Sequence, residues 1–528
     1  MIDRTMMSHM DLPDAVEREL ALRNRLLPRR WDYLALAGEH AAVEAALRPL
    51  IRRGPSGTPA DVVLSDKGWR GVRPLHVMTL RDRVLYRALV ELIGRTLPEH
   101  RRQRRPVAEF REAPLNVSGT NYISKTDVTA YYEFVDHQNL ADELIGQTGE
   151  EPAIEVLIHL LGEVMGRRVG LPQVHTASDL LGDTYIDQAR RRLLRRGHAT
   201  FTYSDDFRIA SSSLGEARAA LEACAEEVRA LGLVLNDRKT YTYGKRKYRR
   251  SLTSFVDAEK MLFAEDEDSD SGSDSEDPFN LGFLDSDYGD ADEPILTLGA
   301  EPLDQGVDED EALGEDTPNP DDLDERRIVA ARRAWELWAM EDESEDAQAG
   351  QEAAITQSLL GRALPTLGAA GDEKPIENLS ELLRYEPALA PQLTAYMTGY
   401  ATNGPHARSR LRSALDAVVD AQIHSPWQGM WLAQAAGGIR RSRQTHRYEE
   451  WLVRSVAESP HDGLAATAAA ALGRLGRGDA DVVSAAIDRV GPAWRRLVFW
   501  GLIRLDRQKA EDVADDQIDH LLLAVTGS

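Results

Sequence analysis

The chain has little that would place it outside the cell or within a membrane. Its 528 residues include a single cysteine, Cys224, so no internal disulfide can form and no cysteine cluster indicates a zinc site. No apolar run approaches the roughly 18 residues that a transmembrane helix needs. The first residues lack the charged and then apolar pattern of a secretory signal peptide. The sequence therefore predicts a cytoplasmic protein without membrane association, long enough for two or more domains.

Basic residues are absent from one long segment. Residues 265–325 contain 25 Asp and Glu and no Lys or Arg, which accounts for the whole net charge of −25. Low hydrophobicity and charge of one sign keep such a segment extended and disordered. We therefore predict three parts: a folded unit at 1–262, an acidic disordered linker at 263–325, and a second folded unit at 326–528. The linker is interpreted as a spacer, with occupation of a basic cleft as the alternative.

The first unit is weakly basic. Residues 1–262 hold 40 Lys and Arg against 36 Asp and Glu, with dense patches at 101–105, 190–196 and 245–250. Such patches suit phosphate backbones, and a solubilising surface is the alternative. Tyr248 is interleaved in the last patch, where we expect a nucleobase to stack on it.

Two adjacent carboxylates, Asp205 and Asp206, mark the most informative stretch. Apolar or aromatic residues alternate on both sides of them, from Phe201 to Ile209, which predicts a strand, a tight turn and a second strand. Adjacent aspartates repel each other, and a divalent cation that prefers oxygen ligands would relieve that repulsion. A solvated acidic turn is the alternative.

Further motifs flank this hairpin in chain order. A β-rich run upstream ends at Asp127, a Gly-Leu-Pro-Gln loop at 170–173 leads into an apolar helix, and an apolar run at 233–235 precedes the cation Lys239. Taken in order, these segments resemble the palm motifs of reverse transcriptases. Residues 73–75, Arg-Pro-Leu, resemble the fingers segment of bacterial members. The resemblance covers roughly the first half of the chain.

The resemblance implies an α+β fold of fingers and palm with an antiparallel palm sheet, and a metal-dependent DNA polymerase activity. In such enzymes two metal ions about 3.5–4 Å apart clamp the attacking and leaving oxygens. Two Mg²⁺ ions are expected, with Mn²⁺ as an alternative. The family pattern assigns catalysis and metal binding to Asp127, Asp205 and Asp206, with the backbone carbonyl of Val128 completing one metal shell.

The same resemblance implies a nucleotide site. Tyr132 matches the aromatic that lies under the sugar and rejects a ribose 2′-hydroxyl, whereas Tyr131 is interpreted as a core residue. Val174 and His175 follow the Leu-Pro-Gln loop where the family commonly has glycine, and His175 is interpreted as structural rather than as facing the nucleotide. The remaining nucleotide-binding candidates are Lys67, Arg73, Gln173 and Lys239; solvated surface cations are the alternative for the basic ones.

From about Arg326 onward the pattern becomes helical. Asp462 and Asp479 are each expected to cap a short helix, and Pro492 to open a third. Short helices joined by brief turns favour an all-α domain of HEAT-like helical repeats, with an irregular bundle as the alternative.

A reverse transcriptase followed by a helical-repeat domain resembles the abortive-infection and defence-associated enzymes of bacteria. That resemblance implies antiviral defence, assembly as a homo-oligomer, and DNA synthesis that can be template-independent and primed from a tyrosine. The candidate priming tyrosines in the helical half are Tyr385, Tyr396, Tyr400 and Tyr448.

The expected partners are dNTPs, DNA and, in one alternative, RNA. That alternative is conventional RNA-templated synthesis with a bound noncoding RNA. A second alternative is a catalytically decayed polymerase fold that acts as a nucleic-acid-binding scaffold. The intact Asp127, Asp205 and Asp206 argue against decay, since decay usually removes carboxylates first.

Overall fold

The computed structural model describes residues 2–22, 24–67, 71–98, 106–173, 175–252, 325–340, 349–439, 442 and 444–526. The predicted acidic linker and the basic patch at 101–105 lie outside these ranges, except that Glu325 begins a helix. Within the described ranges, no helix is both long enough and apolar enough to cross a membrane.

The N-terminal part consists of five helices and a two-stranded hairpin. The elements are α1 (Arg4–His9), α2 (Leu12–Ala21), α3 (Trp31–Leu36), α4 (His40–Ile51), β1 (Asp61–Asp66), β2 (Val72–Val77) and α5 (Leu80–Gly94). Strands β1 and β2 are antiparallel, and this pair is called the β1–β2 hairpin below. Helix α5 begins where the hydroxyl of Thr79 accepts the backbone N–H of Asp82, the side-chain cap that a helix start favours.

A four-stranded antiparallel sheet forms the centre of the first half, as predicted. Its strands are β3 (Tyr122–Asp127), β4 (Ala199–Tyr203), β5 (Asp206–Ser211) and β6 (Tyr241–Gly244), in the order β4-β5-β3-β6. The central strand β3 is buried from its second residue to its last. The accompanying helices are α6 (Val107–Glu112), α7 (Tyr131–Phe134), α8 (His137–Thr148), α9 (Glu151–Met165), α10 (Thr176–Arg195) and α11 (Leu214–Ala230).

Helix α11 shows how the sequence pattern builds this layer. Ala217, Ala220, Cys224 and Val228 recur every three or four residues, so they share one face, and all four are buried. The helix packs on strands β3 and β5. Burial raises the pKa of the Cys224 thiol to about 12, so the thiol stays protonated and inert.

Helices joined by turns and loops make up the described residues from 325 to 526, and no strand is present among them. The helices are α12 (Glu325–Met340), α13 (Ala349–Ala369), α14 (Lys374–Glu377), α15 (Leu379–Tyr385), α16 (Ala390–Thr402), α17 (Pro405–Ala421), α18 (Pro426–Gly438), α19 (Arg447–Glu458), α20 (Asp462–Leu475), α21 (Ala480–Ile487), α22 (Arg495–Leu505), α23 (Arg507–Val513) and α24 (Gln517–Val525). This set is called the helical half. Its assignment to HEAT-like repeats stays a prediction.

Two of the expected helix starts differ from the structure. Asp479 caps α21 by accepting the N–H of Asp481, as predicted. Asp462 is instead the first residue of α20, and its carboxylate accepts the N–H of Gly491 at 2.7 Å, which joins the start of α20 to the segment before α22. Pro492 lies in a turn, and α22 begins three residues later because that turn continues through Trp494.

The helical half and the N-terminal helices share one hydrophobic core. The rings of Trp31 and Trp500 stack with centroids 5.7 Å apart. The indole N–H of Trp427 donates to the carbonyl of Leu26 at 2.6 Å. The two halves of the chain therefore pack directly against each other.

Candidate active site

The two adjacent carboxylates lie at a tight turn between β4 and β5. Tyr203 and Asp206 pair across the hairpin, so Ser204 and Asp205 form a two-residue turn. Ser204 has a φ of 50°, a left-handed conformation that costs a non-glycine residue free energy. Its N–H donates to the carboxylate of Asp183 at 3.0 Å, which holds this conformation.

The third carboxylate lies beside that turn. Asp127 ends β3 and is directly opposite Asp206 in the antiparallel register, so the two side chains project from the same face of the sheet. The next residue, Val128, donates its N–H to the carbonyl of Asp205 at 3.1 Å. The convergence of Asp127 with the hairpin turn, predicted from the sequence, is therefore present.

Cationic and amide side chains surround these carboxylates. Lys239 Nζ lies 3.5 Å from Asp127 Oδ2, and Asn236 Nδ2 donates to the same oxygen at 3.3 Å. Arg208 Nη1 lies 3.3 Å from Asp206 Oδ1. Arg208 is buried between Asp206 and the ring of Phe110. Its guanidinium carbon lies 5.2 Å from the centre of that ring.

The donor set fits an open magnesium site. In the described part of the chain, no three His, Cys, Asp or Glu side chains already converge as a metal-binding group. Mg²⁺ is commonly bound through one or two carboxylates together with substrate phosphates rather than by an all-protein cage. Asp127 and Asp205 supply such a pair of hard oxygen ligands at the ends of neighbouring segments, and Asp206 lies next to them. The role of the Val128 carbonyl stays a prediction.

Comparison with known proteins agrees with this geometry over part of the chain. Residues 65–252 match the family model described as "Reverse transcriptase (RNA-dependent DNA polymerase)". The chain carries a reverse transcriptase domain. A domain of this family implies nucleotide polymerase activity. The comparison with curated proteins finds no match to this chain.

One similar solved structure is that of telomerase from Candida tropicalis in complex with a TWJ fragment of telomeric RNA. It is 11% identical, the alignment covers 74% of this chain and 68% of that chain, and the TM-score is 0.29.

The two tyrosines after Asp127 have different surroundings in the reverse transcriptase domain. Ala130, with a φ of 47°, turns the backbone into α7, which carries both. Tyr131 is buried, and its hydroxyl donates to the carbonyl of Gly182 at 2.6 Å, which matches its interpretation as a core residue. Tyr132 is half-buried, and its hydroxyl donates to Asp179 Oδ1 at 2.9 Å.

Tyr132 also contacts the turn between β4 and β5. Its hydroxyl lies 3.1 Å from Ser204 Oγ. Asp179 and Asp183 are one turn apart on α10, and they bind Tyr132 and the Ser204 N–H respectively. A single helix face therefore orients both the predicted sugar-facing ring and the turn that carries Asp205.

The Leu-Pro-Gln loop is tied to its neighbours. Gln173 Nε2 donates to Glu133 Oε1 at 3.3 Å, and Glu133 is also ion-paired with Arg167. His175 is buried, with Nε2 3.0 Å from the carbonyl of His76, which agrees with its structural interpretation. Val174 lies outside the described residues.

Lys67 and Arg73 lie on the β1–β2 hairpin. Arg73 is opposite Ser65 in the strand register, and the N–H of Lys67 donates to the carbonyl of Gly71 at 2.8 Å. Both side chains are half-buried. Their binding to a triphosphate stays a prediction, as does that of Gln173 and Lys239.

The four candidate priming tyrosines differ in exposure. Tyr385 is 58% exposed, at the end of α15. Tyr396, Tyr400 and Tyr448 are buried, and burial raises the pKa of each, to about 12 for Tyr448. The Tyr396 hydroxyl donates to the carbonyl of Asp372. Of these four tyrosines, only Tyr385 therefore presents its side chain to solvent.

The expectation for Tyr248 is wrong. The ring is 2% exposed and packs with Ile123 and Tyr243, while its hydroxyl donates to the carbonyl of Arg111 at 2.7 Å. A buried ring has no face on which a nucleobase can stack. The cations around it, such as Arg246 and Arg249, are exposed.

Sequence reasoning missed Asp179, Asp183, Arg208 and Glu133. The first two are spaced by four residues on the helix after the Leu-Pro-Gln loop, which places them on one face. Arg208 follows Asp206 by two residues on one strand, which places both on one side of the sheet. These spacings were readable, but charge and spacing alone do not say which face points to the site.

Proposed function

We propose that this protein is a divalent-metal-dependent DNA polymerase that adds dNTPs to a 3′ or protein hydroxyl. The observation that carries the proposal is the convergence of Asp127 with the Asp205–Asp206 turn. The reverse transcriptase match over residues 65–252 supports the same class of reaction.

The residues of the site have distinct roles in this proposal. When bound, two divalent cations activate the attacking hydroxyl and stabilise the charge on the leaving oxygen. Asp127 and Asp205 would hold these cations, with Asp206 in support. Positioning and charge stabilisation dominate such phosphoryl transfer, because the protein does little covalent chemistry itself. Lys239, already paired with Asp127, is suited to stabilise the leaving pyrophosphate.

Tyr132 is proposed to select deoxynucleotides. Its ring follows Asp127 by five residues and its hydroxyl is fixed by Asp179, so the ring has little freedom to move away from a ribose 2′-hydroxyl. Lys67 and Arg73 are proposed to hold the triphosphate, and Gln173 to contact the nucleotide or the template.

We further propose that the activity acts in antiphage defence, with the helical half as the region for assembly and priming. Tyr385 is the proposed priming residue to test first, because it is the exposed member of the candidate set. The cellular role rests on the resemblance to defence-associated reverse transcriptases.

Incorporation of labelled dNTPs by the purified full-length protein tests the reaction. Wild type is compared with Asp205→Asn, which keeps the size of the side chain and removes its charge, and with Asp237→Asn as a matched control outside the carboxylate set. We expect Mg²⁺-dependent incorporation that Asp205→Asn abolishes and Asp237→Asn retains. Nucleic-acid binding without incorporation in wild type would favour the scaffold alternative.

Two further assays identify the template and the primer. Incorporation that survives RNase treatment supports template-independent synthesis, whereas its loss supports a bound noncoding RNA as template. DNA that stays attached to the protein after denaturation, and is lost in Tyr385→Phe, supports priming from that hydroxyl. Phage challenge of cells carrying wild type or Asp205→Asn then tests the role in defence.

A further inference from the structure

The helical half holds strand β1 by both of its ends. At one end, Ser425 Oγ donates to Asp66 Oδ2 at 2.5 Å. At the other, Trp494 Nε1 donates to Asp61 Oδ2 at 2.6 Å. The two carboxylates are the first and last residues of β1. Helix α18 also packs directly on this strand.

The donor at the Asp66 end is fixed within the helical half. Ser425 is the N-cap of α18, where its hydroxyl accepts the N–H of Gln428 and its own N–H donates to the Gln428 side chain. Nε2 of the Gln428 side chain donates to the carbonyl of Leu383 at 2.7 Å. Because both partners in this capping box are engaged, the hydroxyl that meets Asp66 has a defined position.

The donor at the Asp61 end is fixed as well. Trp494 is 2% exposed, and the Arg30 guanidinium lies over its ring at 5.1 Å. Arg30 also donates to the carbonyl of Ala493 at 2.9 Å. The indole that binds Asp61 is therefore clamped between the helical half and the N-terminal helices.

Helix α9 and the start of α10 hold the same hairpin. The N–H of Ala60 donates to the carbonyl of Val164 at 2.9 Å, just before β1. On β2, the carbonyl of His76 meets His175 Nε2 at 3.0 Å. The β1–β2 hairpin therefore contacts α9 and the start of α10 as well as the helical half. Lys67 follows Asp66 directly and Arg73 lies on β2, so both belong to this hairpin.

We propose that the helical half is the outer support of the β1–β2 hairpin, with Asp66 and Asp61 as positioning residues that set the affinity for the incoming nucleotide. The nucleotide part of this inference rests on the proposed function. A support that holds Lys67 and Arg73 in place lowers the entropic cost of binding the triphosphate, because the binding groups are already ordered. Its loss should raise KM for dNTP more than it lowers kcat.

Substitutions at Ser425 test this contact without removing the helix cap. Aspartate is also a good N-cap residue, so Ser425→Asp keeps the start of α18 while placing a second carboxylate against Asp66. The exchanged double variant, Ser425→Asp with Asp66→Ser, restores one donor and one acceptor in reversed positions. Ser413→Asp, on an exposed stretch of α17, adds the same charge elsewhere in the helical half and serves as control.

Two measurements on the full-length protein are read together. Hydrogen exchange of the backbone amides in β1 and β2 reports whether the hairpin opens, whether or not the protein turns over substrate. Steady-state incorporation at varied dNTP gives KM and kcat. We expect Ser425→Asp to speed exchange of the hairpin and to raise KM roughly fivefold, a typical coupling between sites, with kcat within about twofold. The exchanged variant should return both quantities toward wild type.

The outcomes separate the support from the reaction. Unchanged hairpin exchange in Ser425→Asp would overturn the support, whatever the activity. Faster exchange with an unchanged KM would overturn the link to nucleotide affinity. Absence of incorporation in every variant, wild type included, would overturn the proposed function, while the exchange data would still decide whether the helical half holds the hairpin.

Discussion

Lys239 Nζ lies 3.5 Å from Asp127 Oδ2, so the cation of the last motif is ion-paired with the first carboxylate. Strand β6 begins two residues after Lys239, and it pairs with β3, which ends at Asp127. The pairing of these two strands thus brings a charge and its countercharge to one end of the sheet.

Replacement of Lys239 by methionine should lower kcat for nucleotide incorporation by about 10- to 100-fold, because it removes both the cation paired with Asp127 and the charge proposed to stabilise the leaving pyrophosphate. Lys239→Arg keeps the charge and should recover part of the loss. Steady-state incorporation assays measure both, with Arg229→Met as the control because Arg229 is exposed on α11. Equal kcat values for wild type and Lys239→Met would contradict this role.

Tyr132 offers a test of sugar selection that separates its ring from its hydroxyl. Tyr132→Ala removes the bulk and should raise the use of rNTPs relative to dNTPs by about tenfold or more. Tyr132→Phe keeps the bulk and should retain discrimination, while the lost hydrogen bond to Asp179 destabilises the fold by about 1 kcal/mol. The ratio of kcat/KM values for the two nucleotide classes measures the first effect, and urea denaturation the second.

The partner residue completes that test. Asp179→Asn should alter the activity of wild type and have little effect in the Tyr132→Phe background, because the hydroxyl through which it acts is already absent. An equal effect of Asp179→Asn in both backgrounds would show that Asp179 acts on something other than Tyr132.

The convergence of the three carboxylates was largely readable from the sequence, and the reason is local. Asp127 and the Asp205–Asp206 pair each follow strand-like alternation, and strands of this kind bring their ends together at one edge of a sheet. The sequence shows Tyr248 within a basic patch but could not show that the ring is buried, because the contact with Ile123 joins residues far apart in the chain.

No local sequence pattern predicted that the two halves of the chain pack together. Trp31 and Trp500 stack across a long sequence separation, and each alone is an ordinary apolar residue of a short helix. The contact of Ser425 with Asp66 is of the same kind: capping chemistry predicts the serine, but not that its hydroxyl also binds a strand of the other half.

His175 should make the fold sensitive to acid. Burial, with Arg83 nearby acting in the same direction, lowers the pKa of His175 to about 4. In the unfolded chain the same imidazole binds a proton at an ordinary pKa of about 6.5. The contribution of neutral His175 to the free energy of unfolding is therefore present above about pH 6.5 and is lost as the pH falls toward about 4. Over this range the free energy of unfolding falls by up to about 1.4 kcal/mol per pH unit.

A glutamine at this position isolates that contribution. His175→Gln can still donate to the carbonyl of His76 but cannot take up a proton. We expect its free energy of unfolding, measured in urea at several pH values, to fall less steeply than that of wild type between pH 6.5 and about 4. His520→Gln, at an exposed residue of α24, should leave the wild-type slope unchanged. Parallel curves for wild type and His175→Gln would contradict the assignment.

The close approach of α20 and α22 gives a prediction for the helical half. A Cβ at Gly501 would lie 2.5 Å from the carbonyl oxygen of Ala469, and one at Gly473 would lie 2.7 Å from that of Gly501. The backbones touch there, so no side chain can yield. Gly501→Ala must push the helices apart, and we expect a loss of about 1–3 kcal/mol in the free energy of unfolding.

Gly146 supplies the matched comparison for that substitution. It also lies within a helix, α8, but nothing lies within 4 Å of a Cβ added there. Gly146→Ala should therefore stabilise the protein by about 0.5–1 kcal/mol, since alanine loses less backbone entropy than glycine in a helix. Urea denaturation of both variants measures the contrast. A stabilising effect of Gly501→Ala would contradict the close approach of α20 and α22 at these glycines.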